Sequence, residues 1–134
     1  MSSPGSFELY GRTSRYLDLI GPLLQDRDDP STVALLTDDR HTNSRGIVHG
    51  GLLVAIADTV MGHAAERLSP GRRVVTASLT TDFIGAARGG RWILGNASVV
   101  RAGRRLAFTT CAFHCDDQLI LVASGLFSVI DPTT

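Results

Sequence analysis

The alternation of apolar and polar residues divides the chain into a helical first half and a strand-rich second half. Phe7 to Leu24 carries apolar residues at helical spacing, and Gly21-Pro22 is expected to end or bend that segment. Val33 to Thr37 is a short strand candidate. Gly51 to Leu68 gives the clearest helical pattern, because six residues fall on one broad face: Leu52, Leu53, Ile56, Val60, His63 and Ala64. On this pattern His63 is expected to be a core histidine.

Four strands are predicted after this helix from runs rich in Val, Ile, Thr, Leu and Phe. They are Arg73 to Ile84, Arg91 to Arg101, Leu106 to Cys115, and Leu119 to Ile130. Gly or Asp residues mark the turns between them, at Gly85 to Gly90, 102–104 and Asp116-Asp117. Short turns favour an antiparallel meander. One buried helix with a run of antiparallel strands predicts an α+β domain whose sheet wraps around the helix.

Composition narrows the class of protein. The chain has 134 residues, 43% of them apolar, and 13 basic and 13 acidic residues give zero net charge. This length suits one domain, the apolar fraction argues against disorder, and the neutral balance argues against general nucleic-acid binding. No apolar run approaches the roughly 20 residues of a membrane span, and no export signal is visible. We therefore expect a soluble cytoplasmic protein.

The two cysteines, Cys111 and Cys115, are expected to be reduced packing thiols. On a strand they would lie about 13 Å apart, whereas a disulfide needs Cα atoms within about 7 Å. His114 would point to the opposite face of that strand, so these residues do not predict a zinc site. The spacing of His41, His49 and Asp58 matches no metal pattern either, and no metal is expected.

Asp58 is the one Asp, Glu or Arg residue between Gly51 and Ala65. Small and apolar residues surround it on a helix, where a carboxylate is costly to bury unless it is paired. Two interpretations remain open. Asp58 is either a general base or nucleophile, or a structural residue that holds a neighbouring segment by hydrogen bonds.

His49-Gly50-Gly51 begins the predicted helix. The first N–H groups of a helix have no internal partner, and glycines let a ligand approach the backbone, so these residues form a candidate anion or oxyanion site. The alternative is a flexible entry to the helix. Gly50 and Asp58 are eight residues apart, or about 12 Å along a helix, which is too far for one small reacting centre to touch both. If they cooperate, they come from two chains, which predicts a dimer with composite sites.

These residues also form a recognisable signature. The pattern N-x-x-G-x-x-H-G-G runs from Asn43 through Gly46 to His49-Gly50-Gly51, and the acid Asp58 follows seven residues later. It resembles hotdog-fold acyl-CoA thioesterases of the phenylacetic-acid-degradation (PaaI-like) branch. Three later segments look similar as well: Thr76 to Phe83, Val100 to Arg104, and Gly125 to Phe127. The resemblance covers about residues 33 to 130.

The resemblance implies a hotdog fold, in which an antiparallel sheet wraps a long central helix. Residues 33–134 would be the hotdog domain, and residues 1–32 a helical segment and loop of the same single domain. Two subunits would join their sheets, and dimers would pair into a homotetramer. The active site would lie at the dimer interface, in agreement with the helix-length argument.

The resemblance also assigns roles. Asp58 would activate water or attack the thioester carbonyl, and the Gly50 amide of the partner would polarise that carbonyl, with Gly51 beside it in the substrate site. Asn43 would position the substrate, and His49 would shape the loop and orient the thioester. Thr76 would steady the attacking water. The two roles of Asp58, as nucleophile or as general base, stay open.

The implied reaction is hydrolysis of an aromatic or short- to medium-chain acyl-CoA to the free acid and CoA. No separate cofactor is expected, since CoA is part of the substrate. Because the chain has no Lys, contacts to the CoA phosphates must come from Arg, and the candidates lie in or near turns: Arg88, Arg101, Arg104 and Arg105. Each of them could instead be an ordinary solvated charge. Two other functions are alternatives, a non-catalytic acyl-CoA-binding module and a hotdog hydratase.

Overall fold

The computed structural model describes residues 6–131. Its α-helices are α1 (Arg15–Ile20) and α2 (Gly50–Arg67), and Asp39–His41 forms a short 3-10 turn. Its strands are β1 (Phe7–Leu9), β2 (Leu24–Asp26), β3 (Thr32–Leu36), β4 (Arg73–Phe83), β5 (Trp92–Ala102), β6 (Leu106–Cys115) and β7 (Gln118–Ile130). Five of these strands, β3 to β7, and the long helix lie within one or two residues of the predicted bounds.

The strands form one antiparallel sheet of seven strands in the order β1-β2-β3-β5-β6-β7-β4. The α+β prediction is confirmed, and β5, β6 and β7 form the expected meander. The meander prediction was wrong for β4, which pairs with β7 rather than with β5, from Arg73↔Ile130 to Phe83↔Leu121. Residues 85–90 are therefore a crossing between opposite parts of the sheet. Local turn residues do not show which strand becomes the partner.

The predicted helix from Phe7 to Leu24 was wrong over most of its length. Its two ends are strands that pair with each other, with Phe7 opposite Asp26. Only Arg15–Ile20 is helical; the Ser14 hydroxyl caps it by accepting the Leu17 N–H at 3.2 Å, and the helix ends before Gly21. Phe7 and Leu23 are buried against the core, so two strands and a short helix together produced an apolar spacing that resembled one helix.

Helix α2 packs against β4, β5, β6 and β7 and supplies much of the core. Its residues Val60, Met61 and Ala65 are each 0% exposed. Burial extends around most of the helix, as expected for a helix that is apolar on nearly all sides. Within residues 6–131, no helix is long and apolar enough to cross a membrane.

Cys111 and Cys115 are both buried and free of disulfides, as predicted. Burial raises the pKa of the Cys111 thiol to about 11, and burial beside Asp116 also raises the pKa of Cys115. Both thiols are therefore protonated at neutral pH and pack as small apolar groups.

Candidate active site

Asp58 and Thr76 meet where α2 crosses the edge strand β4. The Thr76 hydroxyl donates a hydrogen bond to Asp58 Oδ1 at 2.6 Å. Asp58 is half-buried on the helix, and Thr76 is exposed on the strand. A hydroxyl that donates to a carboxylate forms a strong, short hydrogen bond and fixes the orientation of that carboxylate. The structure therefore presents one oxygen of Asp58 in a fixed position and leaves the other without a protein hydrogen bond in residues 6–131.

A cleft of about 310 Å³ opens beside this pair. Asp58, Gly62 and His63 line it from α2, and Thr76 lines it from β4. The segment 12–17, which includes the start of α1, also lines the cleft. The sequence predicts no functional role for this segment, because nothing in its local pattern indicates that it folds back over the helix.

The start of α2 differs from the expected open anion site. His49 is the N-cap residue, and its Nδ1 accepts the Gly51 N–H at 2.8 Å, so Gly51 is not a free donor. The N–H of Gly50 has no partner within residues 6–131 and stays available. Gly50 also packs closely on the end of β4, since a Cβ at this position would lie 3.0 Å from Phe83 Cε1.

Asn43 organises the loop that leads into α2. Its Oδ1 accepts the N–H groups of Arg45 and Ile47 at 2.9 and 3.2 Å, and its own N–H donates to the Ile47 carbonyl at 2.8 Å. Gly46 completes this turn with a φ of +76°, a conformation that suits glycine. The side-chain oxygen of Asn43 is thus occupied by the backbone of its own loop.

His41 precedes this loop and is fully engaged within the protein. It is 2% exposed; its Nδ1 accepts the Asp38 N–H at 2.9 Å, and its Nε2 lies 2.6 Å from the Ile20 carbonyl. Nε2 therefore holds the segment before α2 against α1, and Nδ1 caps the 3-10 turn within that segment.

A single chain keeps Asp58 and Gly50 apart. Asp58 contacts β4 at Thr76, whereas Gly50 contacts it at Phe83, seven residues further along the strand. Helix and strand run antiparallel, so the two contacts lie at different points along their length. Among the residues that the structure describes, the sequence-predicted catalytic set is thus divided into two half-sites.

The candidate arginines are divided in the same way. Arg88 lies beside the loop that enters α2, where it forms an isolated bridge with Ile47. The other three, Arg101, Arg104 and Arg105, lie near the β5–β6 turn, at the C-terminal end of α2. There the Arg104 carbonyl accepts a hydrogen bond from Arg72 at 2.7 Å. They do not form one cluster within the chain, and only Arg88 lies near Gly50.

His63 is half-buried in the wall of the cleft, which corrects its prediction as a core residue. Its Nδ1 lies 2.7 Å from the Tyr10 hydroxyl, and the two rings stack with centroids 5.5 Å apart. Burial, together with the positive charges of Arg12 and Arg67, lowers the pKa of His63 to about 4, although Glu66 opposes the shift. The ring is therefore neutral at physiological pH.

Glu66 joins three elements around the same cleft. One of its oxygens accepts from Arg12 at 2.5 Å, and the other accepts the Val74 N–H at 3.0 Å. Burial alone would raise the pKa of Glu66, but these two donors outweigh it and hold the pKa below its ordinary value. Glu66 thus ties the segment 12–17 and β4 to α2.

Known proteins match this chain in sequence and in fold. A family model for the thioesterase superfamily matches residues 45–122, which include Gly50, Asp58 and Thr76. The chain belongs to the thioesterase superfamily. A Pseudomonas aeruginosa protein named "Putative esterase PA0474" is 39% identical over 130 residues, covering 95% of this chain and 97% of that protein. Human acyl-coenzyme A thioesterase 13 is 33% identical over 91 residues, covering 66% of this chain and 63% of the human protein.

Solved structures confirm the hotdog fold of this thioesterase-superfamily chain. The BH2602 protein from Bacillus halodurans, solved with CoA, superimposes with a TM-score of 0.80 at 23% identity, covering 89% of this chain and 78% of that one. A mutant of the phenylacetic acid degradation protein PaaI from Thermus thermophilus gives a TM-score of 0.72 at 20% identity, covering 86% and 98%. At this level of identity the likeness concerns the fold alone.

Proposed function

We propose that this protein is an acyl-CoA thioesterase that hydrolyses an acyl-CoA to the free acid and CoA, with Asp58 as its catalytic carboxylate. The observation that carries the proposal is the hydrogen bond from Thr76 to Asp58 at 2.6 Å, beside an open cleft. A carboxylate held in one orientation can take the proton of an attacking water or attack the carbonyl carbon itself. Superfamily membership and a relative named as an acyl-CoA thioesterase support the choice of reaction.

The proposed enzyme is a homodimer whose sheets join through β4. This strand is an edge of the sheet and is eleven residues long. A long edge with unpaired backbone groups is a ready template for a second copy. When two copies of β4 pair antiparallel around a two-fold axis, the numbers of any two facing residues add up to the same value. If the axis passes between Leu79 and Thr80, Thr76 therefore faces Phe83 of the partner subunit.

That pairing would complete the divided site. Thr76 holds Asp58, and Phe83 packs on Gly50, so this register sets Asp58 of one subunit across from the Gly50 region of the other. Paired strands lie about 4.8 Å apart. The free N–H of Gly50, at the positive end of α2, would then polarise the thioester carbonyl while Asp58 delivers the nucleophile. Pairing of dimers into a tetramer remains part of the proposal.

CoA would enter from the Gly50 side of this composite site. Arg88 lies beside the loop before α2 and can reach a phosphate there, since a guanidinium suits bidentate phosphate binding. Arg101, Arg104 and Arg105 lie at the far end of their own chain, so a role in CoA binding requires them to act in the partner's site. The superfamily neighbour solved with CoA supports a CoA ester as substrate. His49 and Asn43 would act by fixing the loop that carries Gly50.

The test is thiol release from acyl-CoA esters, followed with a thiol reagent, for the parent and for Asp58→Asn. We expect Asp58→Asn to lose at least 100-fold in kcat while its thermal unfolding stays close to that of the parent. Asp28→Asn is the matched control, because Asp28 is an exposed acid in the loop after β2, away from β4, and no side-chain hydrogen bond of it is seen in the described chain. Hydrolysis by Asp58→Asn at the parent rate would show that the assignment is wrong. Saturable binding of the esters without thiol release would favour the second candidate, an acyl-CoA-binding module.

A further inference from the structure

His41 lies between the end of α1 and the loop that leads into α2, and it bonds to both. The Asp38 N–H donates to its Nδ1 at 2.9 Å, and its Nε2 lies 2.6 Å from the Ile20 carbonyl. A backbone N–H only donates and a carbonyl only accepts, so the ring hydrogen between these two partners is on Nε2. The backbone carbonyl of His41 accepts the His49 N–H at 2.8 Å. The side chain and the backbone of His41 are therefore held by different parts of the chain.

These bonds lead directly to the proposed oxyanion donor. His49, which the His41 carbonyl holds, is the N-cap of α2, and its Nδ1 accepts the Gly51 N–H at 2.8 Å. Gly50 lies between these two fixed residues. It also packs on β4, since a Cβ at this position would lie 3.0 Å from Phe83 Cε1. The direction of the free Gly50 N–H is thus set by the loop on one side and by β4 on the other.

The link from His41 to α1 is buried. A buried hydrogen bond holds a loop more firmly than an exposed one, because water competes for the exposed one. The His41 side chain is 1% exposed. Arg40 reaches the same end of α1 and donates to the Leu19 and Gly21 carbonyls at 2.6 and 2.9 Å, but its side chain is 51% exposed. Arg40 can therefore keep α1 and the loop together when His41 is replaced, while the buried link to the loop is lost.

We propose that His41 is a positioning residue that sets the Gly50 N–H in the geometry needed to polarise the thioester carbonyl. This inference rests on the proposed thioesterase function. In the proposed dimer, the Gly50 donor of one subunit serves Asp58 of the partner subunit. His41 therefore acts on the reaction at the partner's carboxylate, although its ring contacts α1, whose start lines the cleft of its own chain.

Two substitutions separate the two ring contacts of His41. In His41→Gln the side-chain amide reaches the position of Nε2 and keeps a donor for the Ile20 carbonyl. In His41→Asn it reaches only as far as Nδ1, so it keeps an acceptor for the Asp38 N–H and loses the link to α1. A residue needed only for folding would give both variants similar losses, because each of them removes one buried hydrogen bond.

The measurement is initial-rate thiol release from acyl-CoA esters, with thermal unfolding of each variant. We expect His41→Asn to lose about 10-fold or more in kcat with little change in KM, because a misplaced donor weakens stabilisation of the transition state rather than ester binding. His41→Met fills the buried space without a donor and should lose as much. His41→Gln should stay within about threefold of the parent. Arg40→Gln is the matched control, because it removes only exposed contacts to α1, and it should stay within about twofold.

Mixed dimers show on which subunit's reaction His41 acts. Chains with His41→Asn and chains with Asp58→Asn are coexpressed with different affinity tags, and assemblies that carry both tags are purified. One site then combines the intact Asp58 of the first chain with the correctly placed Gly50 of the second. We expect about a quarter to a half of the parent kcat, which is the fraction of intact sites in a mixed tetramer or dimer. Assemblies with Asp58→Asn under both tags are the control and should stay inactive.

Equal losses in His41→Asn and His41→Gln, or parental kcat in His41→Asn, would overturn the assignment of His41. The absence of recovery in the mixed assembly would overturn it too, because His41 would then act on the site of its own chain. Failure of the proposed function has a different signature, which is no thiol release from any ester by the parent. That result would overturn this inference as well, since no thioester carbonyl would then be polarised.

Discussion

Replacement of Thr76 by Val tests whether the position of the Asp58 carboxylate matters for catalysis. Val has the shape of Thr and suits a strand, so β4 keeps its conformation while the hydroxyl donor to Asp58 Oδ1 is lost. A hydrogen bond to a charged group contributes about 1.5–3 kcal/mol when buried. Thr76 is exposed, and water competes for the carboxylate, so about 1–1.5 kcal/mol is the appropriate value here.

This free energy corresponds to a loss of about 5- to 13-fold in kcat, at 1.36 kcal/mol for each factor of ten. KM should change little, because Thr76 acts through Asp58. Thr76→Ser retains the donor and should stay within about twofold of the parent, a range that corresponds to well under 1 kcal/mol. The assay is initial-rate thiol release over a range of ester concentrations, with thermal unfolding measured on each variant. If Val matches the parent, or if Ser loses as much as Val, the hydroxyl is not what orients the carboxylate.

Three other predictions concern packing and protonation. Gly95→Ala should lower the free energy of unfolding by about 1–3 kcal/mol, because a Cβ there would overlap the buried ring of Phe113. The measurement is chemical denaturation, and Gly11→Ala is the control, because the added methyl there makes only ordinary contacts. The pKa of His63 is about 4 in the folded protein, below the ordinary value of 6.5. As the pH falls, the unfolded chain therefore takes up a proton on His63 before the folded protein does. The free energy of unfolding decreases from about pH 6.5 downward. His63→Phe should flatten this decline in melting temperature between pH 7 and pH 5, and a parallel decline would contradict the assignment. Burial of Cys111, with its pKa raised to about 11, predicts slow alkylation by iodoacetamide at pH 8 until the protein is denatured, and rapid labelling of the native protein would refute it.

The sequence predicted the long helix and four strands within a residue or two, because each is long and strongly patterned. It also predicted Asp58 as the residue to examine, since one charge within an apolar helix stands out without any structure. The prediction failed at the N-terminus, where strands of three residues are too short to show a period of two. For the same reason, the sequence did not predict that residues 12–17 form a wall of the cleft.

His63 shows the same limit at a single residue. Helical spacing correctly placed it on the side of α2 that turns away from solvent, but spacing does not distinguish a core position from the wall of a cleft. The difference depends on Tyr10, 53 residues away in the chain, whose hydroxyl lies 2.7 Å from His63 Nδ1.

The sequence by itself determined the long helix, the strands from β3 onward, the family signature and the separation of Gly50 from Asp58, because helical rise and hydrophobic periodicity are local properties of the chain. Only the tertiary structure decided that β4 pairs with β7 and becomes an edge, that Thr76 holds Asp58, and that the N-terminal segment closes the cleft. These features join residues far apart in sequence. Their positions depend on which surfaces the whole chain buries together, and no local sequence pattern predicts those contacts.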